Sequence, residues 1–347
     1  MAQFLLRRVL TMVLTALCLT LVVFFLTNLP PNLEKLAKSE AGSRISDAEV
    51  TSWLEKNGHA RPLLVRYGEW LGVVPGWTRE DDGRTYGRCL TPGVDPAEAP
   101  RFCGVLQGNW GFSSFFKAPV GSKLGYHLGL TGVLMFWVIV LMVPASLLIG
   151  VVAGMREGSK LDRSLSTFSI ASTATPEYVS GVILIFIFAS SAVGLKWFKG
   201  TATAAMDGVT FDNFFLPVLT IALYGVGYIA RMTRASMTEV MTAQYIRTAR
   251  LKGVSFGSVV MRHALRNALI APFTVIMLQF PWLLNGVVIV ETLFNYKGFG
   301  WTLVQAAGNN DIQLLLGCSV VAVAVVLVTQ LISDVGYVFL NPRIRIS

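Results

Sequence analysis

The chain is poor in charge. Only 14% of its 347 residues are Asp, Glu, Lys or Arg, whereas about a quarter of an ordinary soluble domain is charged. No Gly-rich loop ends in Lys-Ser or Lys-Thr, so we find no phosphate-binding loop. The three histidines, His59, His127 and His263, are scattered, and no His/Cys cluster has the spacing of metal ligands. These absences argue against a self-contained ATPase or metalloenzyme. We therefore expect no catalytic residue, no metal and no cofactor in this chain.

Long apolar runs are what the sequence has instead, since 53% of its residues are apolar. Windows of about 20 apolar residues recur, and each is long enough to cross about 30 Å of hydrocarbon as a helix. Strands are disfavoured because apolar and polar residues do not alternate. The sequence predicts an all-α membrane protein with six transmembrane helices, over 9–29, 128–153, 165–193, 214–230, 269–290 and 314–340.

The first apolar run follows Arg7 and Arg8 and resembles a secretory signal peptide in its order of charge and apolarity. Its apolar part is longer than a signal peptide requires, and Pro30 and Pro31 follow where small residues would mark a cleavage site. We therefore expect residues 1–31 to form a retained transmembrane helix.

The net charge of +9 would suggest nucleic acid in a soluble protein, but here the positive residues follow the predicted topology. Short loops rich in Lys and Arg stay on the cytoplasmic side of a membrane. The most basic loop, 231–268, lies between the fourth and fifth predicted spans. The prediction is an inner-membrane protein with both termini in the cytoplasm and residues 32–127 outside.

Residues 32–127 form the long polar segment of the chain. Ser46 followed by Glu49 predicts a capped helix over 46–56. Cys89 and Cys103 lie in this segment, and two cysteines in an extracytoplasmic region indicate a disulfide, with two free thiols as the alternative.

The basic stretch 231–268 has the pattern of two short helices that flank Gly253. Met237, Val240, Met241 and Ile246 recur at helical spacing in the first helix. Gly253 suits a left-handed helix end, and Ser255 suits the cap of the second helix. Its cations are Arg231, Arg234, Arg247, Arg250, Lys252, Arg262 and Arg266. On composition alone, a loop attracted to anionic lipid is an equal alternative.

Several segments resemble one family over nearly the whole chain. Residues 245–253 read YIRTARLKG and residues 262–270 read RHALRNALI. These look like the coupling ("EAA") loop of ABC importer permeases in the form of the dipeptide/oligopeptide/nickel group. Further segments similar to that family are 4–8, 67–72, 108–113, 291–294, 298–300 and 341–345.

The resemblance implies the type I ABC importer permease fold, with a five-helix core over 128–347, and a peptide as the transported solute. Nickel chelates, opines and glycosides are alternatives within the same family. It also implies a homologous second permease, two ATPase subunits that bind ATP and Mg, an extracytoplasmic solute-binding protein and surrounding membrane lipid, with no nucleic acid. The residues implied to dock an ATPase are Tyr245, Arg247, Thr248, Ala249, Arg250, Lys252, Gly253, His263, Arg266 and Asn267.

Two features depart from the family pattern. The loop has Arg247-Thr248-Ala249 where the broader importer signature has Glu-Ala-Ala, and peptide-type permeases commonly differ in this way. An insertion over residues 73–105, of unknown role, separates two of the similar segments and contains both Cys89 and Cys103.

Glu177, which follows Pro176, would lie within the third span. An ionisable group at membrane depth usually faces the protein interior or a wet cavity. We expect it either to line the solute path and attract a cationic group, or to make an interhelical hydrogen bond.

Two other classes of protein remain as alternatives. A secondary transporter would show inverted repeats with paired broken helices, which are not evident in the sequence. A membrane sensor would bind a ligand outside and a cytosolic partner at the basic stretch.

Overall fold

Long helices dominate the computed structural model, which describes residues 2–42, 44–81, 84–90, 95, 98–191 and 195–340. Four helices in this described part are long and apolar enough to cross a membrane: Leu6–Thr27, Val120–Met155, Phe211–Met241 and Ile312–Gly336. A bent pair, Lys160–Ala174 and Glu177–Phe188, gives a fifth span if it is counted as one. These confirm an all-helical, multi-span membrane protein.

In chain order, the α-helices are α1 Ala2–Thr27, α2 Pro30–Ala41, α3 Asp47–Lys56, α4 Leu63–Leu71, α5 Val120–Met155, α6 Lys160–Ala174, α7 Glu177–Phe188, α8 Phe211–Met241, α9 Gln244–Leu251, α10 Phe256–Ser258, α11 Leu265–Ala268, α12 Ile270–Leu293, α13 Phe299–Gly308 and α14 Ile312–Leu340. The strands are β1 Thr78–Asp81, β2 Arg84–Gly87, β3 Phe112–Ser113 and β4 Ala118–Pro119, paired as two antiparallel hairpins.

The third predicted span differs from a straight helix. α6 and α7 meet at an angle of 109°. Pro176 has no amide proton to donate and Thr175 before it is extended (ψ 122°), so the helix stops and restarts. α12, Ile270–Leu293, is continuous, and the apolar part of it that lies within the described side chains is Ile270–Gln279. The sixth span therefore stays a prediction.

The chain divides into two compact units. The core unit contains Leu128–Trp301 and Val325–Ser347 together with Met1–Phe4, and the N-terminal unit contains Leu5–His127 and Thr302–Ala324.

α8 is the central helix of the core unit. Leu216, Ile221 and Ile229 on α8 are fully buried. Gly225 lets the Met142 side chain of α5 approach, and Gly227 lies against Ser172 of α6, where a Cβ would collide with the neighbouring atoms. Small residues thus allow close helix packing where lipid gives no hydrophobic driving force.

The N-terminal unit has its own apolar cluster. Phe24 of α1, Leu33 of α2, Trp70 of α4 and Leu316 of α14 pack together in it. The predicted capped helix is confirmed as α3: the Glu49 amide donates to Ser46 Oγ, and the Ser46 amide donates to Glu49 Oε2 at 2.7 Å.

In the structure, Cys89 and Cys103 form a disulfide with Cα atoms 5.5 Å apart. It closes a loop that begins at the end of the β1–β2 hairpin, and Gly76 lies against the Cys89 sulfur. Cys18 and Cys318 are free. The bridge therefore ties the middle of segment 73–105, just after the β1–β2 hairpin, to the C-terminal end of that segment.

Removing this bridge should loosen segment 73–105. A loop with a sequence separation of 14 corresponds to about 3 kcal/mol of cross-link stabilisation. We expect the Cys89→Ser/Cys103→Ser variant to exchange the amide protons of β1 and β2 at least roughly tenfold faster, measured by hydrogen exchange. The matched control, Cys18→Ser, should leave those rates unchanged. Equal rates in the double variant and the wild type would contradict the expected role of the bridge.

Candidate docking and translocation site

The basic stretch begins on the last turns of α8. The sequence predicts one helix through Met237, Met241 and Ile246, and this prediction is wrong. α8 ends at Met241, and α9 begins at Gln244 after a break at Ala243, which is extended (ψ 147°). The Thr242 hydroxyl donates to the Glu239 carbonyl at 2.8 Å and helps to end α8.

Gly253 ends α9 with a left-handed conformation (φ +76°). Its amide donates to the Arg250 carbonyl at 3.0 Å, and the Val254 amide donates to the Ala249 carbonyl at 3.2 Å. These two bonds define a Schellman motif, in which Val254 packs back on the helix beside Ala249. The left-handed helix end predicted for Gly253 is therefore confirmed.

The second arm is less regular than the single helix that the sequence predicts. Ser255 precedes α10 but makes no side-chain capping bond. A π-helical turn, Val259–Ala264, separates α10 from α11, which leads into α12. A π turn inserts an extra residue, and the spacing of apolar residues does not reveal it.

The two arms rest on a shared apolar base. Met237, Ile246, Val259 and Ala264 are fully buried in it, and Met155 of α5 packs against it. The arms are also joined by hydrogen bonds: Asn267 Nδ2 donates to Tyr245 Oη at 3.0 Å, and Ser236 Oγ donates to the Ala268 carbonyl at 2.8 Å. The stretch is therefore a packed helix pair and not a solvated loop.

The face opposite this base is basic and exposed. The exposed residues of the expected docking set are Tyr245, Arg247, Thr248, Arg250, Lys252, Gly253, His263, Arg266 and Asn267. Ala249 is buried in the base, so it supports this face and does not form part of it. Leu251, at 81% exposure, is an apolar side chain presented at the tip of the pair. Hereafter this exposed set together with Leu251 is called the basic face.

Arg234 does not belong to the basic face, although the sequence groups it there. Its Nε donates to Asp162 Oδ1 at 2.5 Å and its Nη2 to Oδ2 at 2.7 Å. Asp162 is 2% exposed and also accepts from the Gly158 amide at 2.9 Å. This bidentate pair holds the start of α6 against α8. The role of Asp162 was not predicted, because the only signal in the sequence is that it is one of two acids, with Glu157, in a basic turn.

Glu177 lies at the first turn of α7, directly after Pro176. Its side chain is 9% exposed, and its Oε1 has no hydrogen-bond partner among the described residues. The N-terminal end of a helix, where amide groups are not bonded within the helix, favours a negative charge at this position. One alternative expected from the sequence was an interhelical hydrogen bond. Within the described part of the core unit, Glu177 Oε1 makes no such bond.

Glu291 is completely buried near the end of α12 and caps the start of α13. Its Oε2 accepts from the Trp301 amide at 3.0 Å, and Thr131 Oγ1 donates to its Oε1 at 2.5 Å. The same Thr131 oxygen accepts from the Phe299 amide at 2.7 Å. Glu291 therefore joins α12 to the start of α13, with Thr131 of α5 between them.

Comparisons with known proteins agree on one family. The model of the "binding-protein-dependent transport system inner membrane component" family matches residues 146–346. A probable peptide ABC transporter permease protein of Sinorhizobium fredii is 30% identical over 348 residues, which cover 99% of this chain and 100% of the relative. An oligopeptide transport system permease protein of Bacillus subtilis is 29% identical over 351 residues, covering 99% and 100%. A glutathione transport system permease protein of Escherichia coli is 32% identical over 245 residues, covering 70% and 76%.

Proposed function

This chain belongs to the family of binding-protein-dependent transport system inner membrane components, and we propose that it carries peptides across the inner membrane as the permease subunit of an ATP-driven importer. The names of three relatives, for peptides, oligopeptides and glutathione, support a peptide solute. A nickel chelate or an opine is the less favoured cargo.

The basic face is the observation that carries the proposal. A packed base under exposed cations, with Leu251 at the tip, suits the cleft of a partner protein better than a lipid surface. Two ATPase subunits, which bind ATP and Mg, would dock there and on a homologous second permease. An extracytoplasmic solute-binding protein would deliver the peptide. The chain itself catalyses no reaction.

Transport follows from the way the helix pair is held. ATP-driven closure of the ATPases would displace the basic face, and the rigid base beneath it would displace α8 and the end of α5. The Arg234–Asp162 pair would pass the same movement to α6, which precedes Glu177. Packed helices move as units and do not deform continuously, so the cavity would switch between inward-open and outward-open states.

The topology that we propose has six spans with both termini in the cytoplasm. Residues 1–31 form the first span, residues 32–127 the extracytoplasmic region that includes the insertion 73–105, and residues 128–347 the five-helix core with the coupling loop 231–268.

Replacing Glu177 with glutamine should lower the uptake of peptides that have a free amino terminus. The variant keeps the size of the side chain but removes the negative charge that would attract an ammonium group. We expect a roughly fivefold to thirtyfold loss of transport efficiency, on the order of 1–2 kcal/mol, and a smaller loss for N-acetylated peptides. Unchanged uptake of both peptide types would rule out a role for Glu177 in the path.

Co-purification followed by reconstitution tests the function as a whole. The chain should purify with ATP-hydrolysing subunits, and vesicles that contain the complex and its binding protein should accumulate a labelled dipeptide only with ATP. Uptake that persists without the ATPases would instead indicate a secondary transporter.

A further inference from the structure

The insertion 73–105 and the end of α3 enclose a cavity of about 240 Å³ within the N-terminal unit. Trp53, Trp77 and Leu36 give it apolar walls. Polar side chains around it include Glu40, Asn57, His59, Arg88, Asp311 and Gln313. A smaller space of about 40 Å³ shares part of this lining and reaches Arg66 and Glu69.

Two local features form the aromatic walls. The Trp53 and His59 rings are stacked, with centroids 5.7 Å apart and planes inclined by 13°. Trp77 lies over Gly58, where a Cβ would come within 2.7 Å of the indole nitrogen, and Gly58 is also left-handed (φ +74°). Glycine at this position is therefore what allows an indole from the insertion to close the cavity.

Arg88 gives the cavity a cationic end. Its amide donates to the Trp77 carbonyl at 3.0 Å, and the neighbouring Cys89 is held by the disulfide, so the insertion fixes where Arg88 starts. Among the described residues, its guanidinium makes one long hydrogen bond, from Nε to the Cys103 carbonyl at 3.4 Å. The remaining N–H groups form a fork of the kind that binds a carboxylate.

Burial lowers the pKa of Arg88, and the charge of Glu69 acts in the opposite direction. The other groups at this end already have partners of their own. Arg66 is engaged, since its Nη1 donates to the His59 carbonyl at 3.0 Å and its Nη2 to Asn28 Oδ1. Burial lowers the pKa of His59 to about 4, and the charges of Arg66 and Arg88 act in the same direction. Because its pKa is lowered in this way, His59 is a neutral wall residue at physiological pH. Glu69 is paired with Arg61.

Acceptors lie on another part of the lining. Gln313 Oε1 is buried without a hydrogen-bond partner among the described residues, and Glu40 is exposed at the rim. Asp311 is already used: it accepts from Ser113 Oγ at 2.6 Å, from the Phe115 amide and from the Leu314 amide. The available acceptors thus suit an ammonium or amide donor.

We infer that this cavity binds a zwitterionic dipeptide, with its carboxylate on the Arg88 guanidinium, its ammonium group near Gln313 and Glu40, and its side chains against Trp53 and Trp77. The choice of a peptide as the ligand rests on the proposed function. In this proposal the insertion helps to form an extracytoplasmic solute-binding site on the permease itself. A volume of about 240 Å³ suits a dipeptide.

Equilibrium binding tests the site. The full-length chain in lipid nanodiscs, without ATPases or binding protein, would be titrated calorimetrically with L-alanyl-L-alanine. We expect saturable binding that Arg88→Gln weakens by roughly tenfold or more, the effect of losing a charge-assisted hydrogen bond. Arg79→Gln, the same substitution on the same hairpin at a residue paired with Asp81, should leave the affinity unchanged.

Two chemically blocked dipeptides and a substitution at the rim of the cavity test whether both charged ends of the ligand are recognised. The N-acetylated and the C-amidated dipeptides should each bind less tightly, and Glu40→Gln, on the exposed rim, should weaken binding of the free dipeptide without altering the fold. Absence of saturable binding, equal binding of the blocked dipeptides, or unchanged affinity in Arg88→Gln would overturn the site. If vesicle uptake of peptides continues while this binding is absent, only the site fails; if no peptide is transported, the proposed function fails.

Discussion

Replacing Gly253 with valine is expected to reduce ATP-driven peptide uptake by roughly tenfold, whereas Gly253→Asn should retain most of it. The backbone of Gly253 is left-handed (φ +76°), and no atom lies within 4 Å of the place where a Cβ would be added. The cost of a side chain is therefore conformational and not steric crowding by neighbours. For an L-residue it is about 1–2 kcal/mol, more for a β-branched residue, and asparagine adopts this conformation more readily.

The expected loss concerns coupling, because the Schellman motif sets the angle between α9 and the second arm. Gly257 offers the matched control: it is also unobstructed, but it lies in α10 without a positive φ. Gly257→Val should transport normally. Uptake, ATPase activity and ATPase association would be measured together. Normal transport and normal association in Gly253→Val would refute the docking role of this turn.

Replacing Arg234 with alanine is expected to destabilise the permease by about 3–5 kcal/mol. The substitution leaves the Asp162 carboxylate, 3% exposed, without its cation, and an uncompensated buried charge costs about this much. We expect a lower thermal unfolding temperature for the purified permease and lower transport by whatever protein remains folded.

The exposed ion pair Lys199–Asp212 is the internal control, with both side chains at least half exposed. Lys199→Ala should cost about 0–1 kcal/mol, as exposed pairs do. The double variant Asp162→Asn/Arg234→Gln should be more stable than Arg234→Ala, since it removes both charges and keeps hydrogen-bonding groups. Equal stability of Arg234→Ala and Lys199→Ala would show that the buried pair does not hold α6 against α8.

Local signals account for the parts of the fold that the sequence predicts correctly. Ser46 with Glu49 forms the predicted capping box, and Gly253 adopts the predicted left-handed turn. Both depend on residues within a few positions of each other. The long apolar helices are equally evident, because a span needs about 20 apolar residues in sequence and little else.

Features that depend on distant contacts were not predictable. Arg234 and Asp162 are separated by 72 positions, and nothing local pairs them. The break at Ala243 and the π turn before α11 change the helical phase without a proline or glycine to mark them. Pro176 marks the interruption of the third span, but it does not specify the 109° angle between α6 and α7.

Segment 73–105, the predicted insertion, shows the same limit. Its cysteines and turn residues are visible in the sequence, yet its relation to α3 depends on Trp77 reaching Gly58 and on Arg88 reaching the Cys103 carbonyl. A side chain that lines a cavity formed by another segment leaves no recognisable pattern in the residues beside it in the sequence.

A photo-crosslinking residue at position 251 gives the most direct test of the account. Leu251 is 81% exposed at the tip of the basic face, so a crosslinker there probes its surroundings without disturbing the base. In membranes that contain the whole transporter, we expect a crosslink to an ATPase subunit. The same probe at Val209, an exposed residue that the proposed topology places outside, should give none. Crosslinking of position 251 to lipid alone would contradict the docking role of the basic face.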